Sequence, residues 1–348
     1  MSVDLRSDNT LGASPEILEA VARAAGEAMS PYGADQITAR LKSVCRDLFE
    51  TDLDIVPVIS GTAGNSLAIA AMTPPWGAVV CHDEAHIHRD ELGAPEFFTL
   101  GAKLIPLHGA DCKLAADDVA RAIEDVGGTG RMAMPSCVSI TQATEVGTVY
   151  SVDAMRAIGE VAHSRGAGVH LDGARFANAV AALGCSPADA SWRAGVDILV
   201  FGATKNGAIG AELMVIFRRE LTVEVARRAH RSGHRLSKAR FLSAQMAAYL
   251  TDDLWLRNAR HANALASRLA SGLREIEGVE ILRPVDANIL VVRFAPPVVK
   301  ALRDRGMQFY DWNVLGPGAV RLVTGFSTAE AEVEEFLSTV REVTAPAG

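Results

Sequence analysis

AGVHLDGAR (167–175) and DILVFGATKNG (197–207) are the two stretches that decide how this chain folds. Each is a short apolar, β-branched run that ends abruptly in a charged residue, Asp172 in the first and Lys205 in the second. Runs of this length bounded by glycine are strands, and their unbroken apolar character places them in a sheet buried on both faces. A carboxylate at the end of such a strand is costly unless a cation or a proton donor meets it. Taken singly, Asp172 or Lys205 would fit a structural ion pair or a helix cap, since ion-pair networks occupy the same places.

Working outward, similar apolar runs lie near 54–59, 77–81, 103–107 and 132–140. Helical stretches at 115–124, 152–165 and 174–183 separate most of them. Strands alternating with helices predict a mainly parallel sheet with helices on both faces, and such sheets bind ligands at the carboxyl ends of their strands. Two helices precede the alternation, one over 14–29, with Ser14 as N-cap and Pro15 at its first position, and one over 36–50. After about residue 250 the pattern changes to a long helix (253–276), strands near 279–282 and 288–294, a helix near 296–306, a strand near 319–323 and a final helix from 328. The reading is therefore an N-terminal arm (1–14), a large α/β domain (15–250) and a small α+β domain (251–348).

The balance of 34 Lys+Arg against 42 Asp+Glu gives a net charge of −8, which argues against a nucleic-acid scaffold. With 49% hydrophobic and 22% charged residues the chain has globular composition, and no apolar run is long enough for a membrane span. The polar start, MSVDLRSDNT, has no apolar signal core and predicts a cytoplasmic protein. Five widely spaced cysteines without a CxxC support neither a disulfide framework nor a zinc ribbon.

A third strand end, VISGTAGN (58–65), carries Gly61 and Thr62 into a helix that begins near Ala63. A helix N-terminus offers free N–H groups to an anion, although an ordinary tight turn with a threonine cap reads the same way. The three strand ends together fit one ligand. A phosphate would lie on Gly61 and Thr62, a protonated ring nitrogen would need Asp172, and an aldehyde would need the amine of Lys205. That ligand is pyridoxal phosphate, whose protonated pyridine acts as an electron sink.

With these residues in place the sequence resembles the low-specificity L-threonine aldolases, a family of fold-type-I pyridoxal-phosphate enzymes. The resemblance runs nearly end to end and is carried by DLRSDNT (4–10), YGADQ (32–36), SGTAGN (60–65), AHIHRDELGAPEFF (85–98), ITQATEVGTVY (140–150), HLDGAR (170–175), FGATKNG (201–207) and VRLVTGFS (320–327). It implies the fold-type-I α/β architecture, with a mainly parallel seven-stranded sheet between helices and a small C-terminal domain. It implies Lys205 as the Schiff-base lysine, Asp172 on the pyridine nitrogen, His86 stacked on the ring, and Gly61, Thr62 and Thr204 at the phosphate. Ser7, Arg175 and Arg321 would grip the substrate carboxylate, for which an arginine fork is suited. It also implies a homo-oligomer, a tetramer built as a pair of dimers, in which Tyr32 and either Lys238 or Arg235 serve a neighbouring subunit's site. The implied reaction is retro-aldol cleavage of L-threonine and related β-hydroxy amino acids, with β-elimination or transamination as alternatives within the same fold.

The chain departs from the family in two places. Thr204-Lys205-Asn206 stands where Ser-Lys-Gly is usual, and the loop ITQATEVG lacks the histidine that many members carry. Gln142 and Thr144 lie in that loop and do not titrate near neutrality, which leaves His86 or a bound water to take the β-hydroxyl proton. CHDEAHIHRDE (81–91) brings His82, His86, His88, Asp90 and Glu91 close in sequence, but it lacks HExxH spacing and a metal is not predicted. GTGRMA (128–133) follows a helix and precedes a strand, the reverse of a dinucleotide fingerprint. The basic stretch 227–240 is not read as a nucleic-acid surface on so acidic a chain.

Overall fold

The structure is a computed structural model and describes residues 3–127 and 131–345. In chain order its strands are β1 (Val3–Asp4), β2 (Asp54–Val58), β3 (Gly77–His82), β4 (Lys103–Leu107), β5 (Met134–Thr141), β6 (Gly168–Gly173), β7 (Ile198–Gly202), β8 (Glu212–Ile216), β9 (Glu280–Ile281), β10 (Ile289–Arg293), β11 (Met307–Gln308), β12 (Tyr310–Asp311) and β13 (Ala319–Val323). The α-helices are α1 (Pro15–Ala25), α2 (Gln36–Phe49), α3 (Gly61–Met72), α4 (His86–Arg89), α5 (Ala94–Phe98), α6 (Ala116–Gly127), α7 (Val152–Ser164), α8 (Phe176–Leu183), α9 (Thr222–Arg231), α10 (Arg240–Leu250), α11 (Leu254–Arg274), α12 (Pro296–Asp304) and α13 (Glu330–Thr344).

Seven strands form the large sheet in the order β2-β8-β7-β6-β5-β3-β4. All run the same way except β8, which is antiparallel to both neighbours. Every residue of β3, β6, β7 and β8 is buried, which is why these strands read as continuous apolar runs and not as alternating ones. The second sheet is antiparallel, in the order β12-β13-β10-β9.

Each sheet has its own core. Helix α11 serves both, giving Leu254, Trp255 and Ala259 to the first and Leu265, Leu269 and Leu273 to the second. The N-terminal arm joins the second core. Its strand β1 pairs parallel with β11, and Val3 and Leu5 are fully enclosed there.

The six predicted strands of the large sheet all form, within two residues of their expected ends. Strand β8 was not predicted, because Glu212–Ile216 is a run of only five residues that opens on a charge and returns antiparallel to β7 after the lysine turn, with no helix of the alternating pattern before it. Helices α9 and α10 occupy ground that the sequence analysis read only as a basic stretch and its continuation. The first part of GTGRMA, residues 128–130, lies outside the described residues.

Helix α3 points its N-terminus at the strand ends and is buried from Ala63 through Ala70. It can lie so close because Gly64 faces β7, where an added Cβ would stand 2.6 Å from a methyl of Val200. Gly64→Ala should therefore destabilise the fold by about 1–3 kcal/mol through overpacking, measured as a lowered urea midpoint with an unchanged slope.

Candidate active site

The carboxyl ends of five strands, the start of a sixth and the N-terminal arm converge on one cavity. It is lined by Asn9 from the arm, Gly61 and Thr62 after β2, His86 after β3, Glu145 after β5, Asp172 at the end of β6, Thr204 and Lys205 after β7, and Glu212 at the start of β8. The sheet topology thus delivers, from chain segments far apart in sequence, the residues expected at its carboxyl edge.

At the start of α3 the N-cap is Ser60, whose Oγ accepts the Ala63 N–H at 3.2 Å. The cap leaves the N–H groups of Gly61 and Thr62 facing the cavity for an anion. The helix begins two residues earlier than the sequence suggested.

Asp172 is 2% exposed. Its Oδ1 accepts the Ala174 N–H at 3.0 Å, and its Oδ2 accepts from Asn65 Nδ2 at 2.9 Å. Asn65 also donates to Glu91 Oε1 at 2.9 Å, and that same oxygen lies 2.8 Å from His86 Nδ1. The result is a continuous chain His86–Glu91–Asn65–Asp172. Glu91, whose side chain is fully buried, raises the pKa of His86 against the lowering effect of burial. With Nδ1 turned to Glu91, the imidazole has its Nε2 edge and ring face left for a ligand.

Lys205 sits in a 3-10 turn, Thr204–Asn206. Beneath it Glu212 Oε2 accepts the Ala203 N–H at 3.1 Å, and burial pushes the Glu212 carboxyl up to about 7 despite the opposing pull of Thr204 and Lys205. Thr204 Oγ1 accepts the Ala211 N–H at 3.2 Å and lies against Glu212, so its hydroxyl is engaged within the turn. Asn206 is a buried strut. Its Nδ2 donates to the Tyr249 hydroxyl at 2.7 Å and to the Trp255 carbonyl at 2.9 Å, tying the lysine turn to α10 and α11.

The other expected site residues divide into two groups. Arg175 is enclosed and donates twice to Asp8, through Nε at 2.7 Å and Nη2 at 2.8 Å. Ser7 Oγ accepts the Asn9 N–H at 3.2 Å and caps the short turn that carries Asp8. Arg321, on β13, stacks 4.8 Å from the Trp312 ring, and its buried Nε has no partner. Burial, with Arg175 nearby, lowers the pKa of Arg321, as happens to a cation that lacks its anion. Tyr32 and Lys238 do not line the cavity. They lie together on the surface, where the Tyr32 N–H donates to the Ser237 carbonyl at 2.8 Å and Arg235 stands over the Tyr32 ring.

The histidines of 81–91 do not converge. His82 Nε2 contacts the Gly109 carbonyl, His88 Nδ1 contacts the Asp83 carbonyl, and only His86 enters the cavity. The one group of possible metal-ligand atoms among the described residues is His82, Asp83 and His108, and there the His82 Nδ1 already accepts the Glu84 N–H.

Sequence reasoning missed Asn65, Glu91, Glu145, Glu212 and the Asp8–Arg175 pair as parts of this site. Asn65 and Glu91 stand inside motifs that the sequence analysis quoted; Asn65 lies one helical turn after Gly61 on α3, and Glu91 lies just past the end of the short helix that carries His86.

A mainly parallel sheet with a lysine and a carboxylate on adjacent strand ends, opposite a helix N-terminus, defines the class of the fold-type-I enzymes. The sequence matches the family model of the beta-eliminating lyases over residues 4–296. It is 41% identical over 345 residues to the low specificity L-threonine aldolase of Pseudomonas sp. (strain NCIMB 10558), covering 98% of both chains. To the enzyme of the same name from Pseudomonas aeruginosa it is 42% identical over 340 residues, covering 97% of this chain and 96% of that one. The fold superposes on Leishmania major threonine aldolase with a TM-score of 0.92 and 27% identity, over 99% of this chain and all of that one. The chain belongs to the beta-eliminating lyase family and, within it, to the low-specificity L-threonine aldolases.

The His86–Glu91 contact generates a direct test. Glu91→Gln removes the largest contribution that raises the His86 pKa, while burial still lowers it and only the more distant charges of Glu145 and Asp172 still raise it. The His86 titration midpoint, followed by ring-proton NMR, should fall relative to the parent protein.

Proposed function

We propose that this chain is a pyridoxal-phosphate-dependent lyase that cleaves L-threonine, L-allo-threonine and related L-β-hydroxy-α-amino acids to glycine and an aldehyde. The observation that carries the reading is the meeting of Asp172, Lys205 and the free N-terminus of α3 in one cavity. These residues fit the cofactor. The unspent N–H groups of Gly61 and Thr62 suit its phosphate, Asp172 suits its protonated ring nitrogen, and the Lys205 amine suits its aldehyde. His86 would cover the ring face. When bound, the cofactor supplies an electron sink next to the substrate Cα.

The remaining work falls to the protein. Asp172, fixed by Asn65 and the Ala174 N–H, keeps a proton on its partner. Arg321, which lacks an anion, receives the substrate carboxylate, with Arg175 beside it and Ser7 shaping the arm. Fixing that carboxylate decides which bond at Cα is set for cleavage. Thr204 contributes by holding the lysine turn. The exposed Tyr32, Arg235 and Lys238 are available to a neighbouring subunit, and we propose a homotetramer built as a pair of dimers with shared sites. Light scattering should give four times the chain mass.

The purified protein with pyridoxal phosphate should show a visible absorption band that shifts on addition of L-threonine, with glycine and acetaldehyde formed. A keto acid and ammonia in place of glycine would move the reading to β-elimination. Lys205→Ala should lose the threonine-cleaving activity and the parent band, and full turnover in that variant would sink the assignment. Arg321→Ala should raise KM by about 10–100-fold, the scale of a lost charge-assisted pair, and an unchanged KM would remove it from the carboxylate site.

A further inference from the structure

The proposed cleavage leaves one proton without a named acceptor, that of the substrate's β-hydroxyl. Besides Lys205, whose amine is assigned above to the cofactor aldehyde, four side chains lining the cavity can accept protons: His86, Glu145, Asp172 and Glu212. Three of them are already committed. Both oxygens of Asp172 accept hydrogen bonds. Glu212 lies beneath Lys205 and accepts the Ala203 N–H. His86 directs Nδ1 to Glu91, and its ring is the one assigned above to cover the cofactor face.

Glu145 differs from these. It is only 9% exposed and faces the cavity, yet its carboxylate has no hydrogen bond or ion pair among the described residues. A buried carboxylate with no partner is costly, and here the surrounding structure holds it in place through the backbone. The Thr144 N–H donates to the Thr148 carbonyl at 2.9 Å, and the hydroxyls of Thr144 and Thr148 meet at 2.7 Å. The Gln142 amide bonds both the N–H and the carbonyl of Tyr150 at 3.0 Å. Gly147, at φ +83°, presses the loop on β10, where a Cβ would stand 2.7 Å from the Ile289 carbonyl oxygen. Glu145 also acts electrostatically on Arg175 and Arg321, so it lies within electrostatic reach of the pair proposed for the substrate carboxylate. The β-carbon of an amino acid held there is two bonds from that carboxylate carbon.

Building on the function proposed above, we infer that Glu145 is the catalytic base for the substrate's β-hydroxyl. The O–H bond breaks and its proton passes to the Glu145 carboxylate. The freed electron pair becomes the second bond of the aldehyde carbonyl. The Cα–Cβ pair stays with the glycyl fragment, whose Cα gains a proton from solvent. Glu145 then returns its proton to water, and the net proton change is zero. The carboxylate does the work that the sequence analysis assigned to His86 or a water.

The test compares the holoenzyme with its Glu145→Gln and Glu145→Asp variants in three measurements. These are L-threonine cleavage, exchange of the glycine α-proton with deuterium oxide by NMR, and the glycine dissociation constant from the cofactor absorbance. Glycine has no β-hydroxyl, so the last two need the cofactor site but not this base. Glu145→Gln should lose about 10²–10⁴-fold in kcat for cleavage, while exchange and glycine affinity stay within about threefold. Glu145→Asp, which keeps a carboxylate, should regain part of the rate. Cleavage within about threefold of the parent overturns the inference, and so does a parallel loss of exchange and affinity, which marks a structural role. If the parent enzyme exchanges no glycine and cleaves no threonine, the underlying function fails, and that outcome is distinct from a failure confined to Glu145.

Discussion

Partnering Asp172 at the buried end of β6 is the constraint on which the site depends. A carboxylate that is 2% exposed is costly to bury unless hydrogen-bond donors meet it. The structure meets that cost with the Ala174 N–H and the Asn65 amide. Asn65 can reach Asp172 only because α3 lies close against β7, which in turn requires Gly64. The same helix offers its N-terminus to an anion. One packing contact therefore sets both the partner we propose for the ring nitrogen and the cradle we propose for the phosphate.

A second constraint joins the two sheets. Asp8 and Arg175 form a doubly hydrogen-bonded pair with side chains 1% and 4% exposed, and Asn288, next to β10, also donates to Asp8. The arm that carries Asp8 is itself part of the second core through Val3 and Leu5. A buried pair of this kind adds little net stability, but removing one member leaves an uncompensated charge and costs about 3–5 kcal/mol. Its effect is to tie the arm, the end of β6 and the second sheet together, with Arg321 on β13 held within electrostatic reach of Arg175 and Asp8.

Much of this was legible in the sequence, for identifiable reasons. The strands of the large sheet announced themselves because burial on both faces leaves unbroken apolar runs, and Asp172 and Lys205 stood out as charges at their ends. Gly61 and Thr62 were legible as the approach to a helix start, although the helix begins two residues earlier than read and its cap is Ser60 and not the threonine. Strand β8 was not, since periodicity cannot separate a five-residue apolar run from other buried segments. The roles of Arg175 and Ser7 were blurred because a sequence gives residue types but not partners. The fork of Arg175 was read as free for a ligand, and the structure turns two of its nitrogens to Asp8. Glu145 escaped notice because the loop was searched for a group that titrates near neutrality, and a carboxylate becomes interesting only once its burial and lack of partners are known.

The charges around the cavity also explain why this site suits an amino acid. Arg175 is neutralised by Asp8, whereas Arg321 has its stacked Trp312 and a buried Nε with nothing to donate to. Glu145 is near enough to act on both arginines yet bonds to neither. Had Glu145 closed on Arg321, the pair would have satisfied itself and left no receptor for a substrate carboxylate. The pinned loop at 142–149 carries Glu145 without a bond to Arg321, which leaves a cation and an anion unpaired within electrostatic reach of each other. On the reading proposed above, a zwitterionic ligand carrying a hydroxyl beside its α-carbon would satisfy both at once, its carboxylate on the guanidinium and its hydroxyl on the Glu145 carboxylate. The cost of keeping those two charges unpaired in the empty site thereby becomes selectivity for the ligand that pairs them.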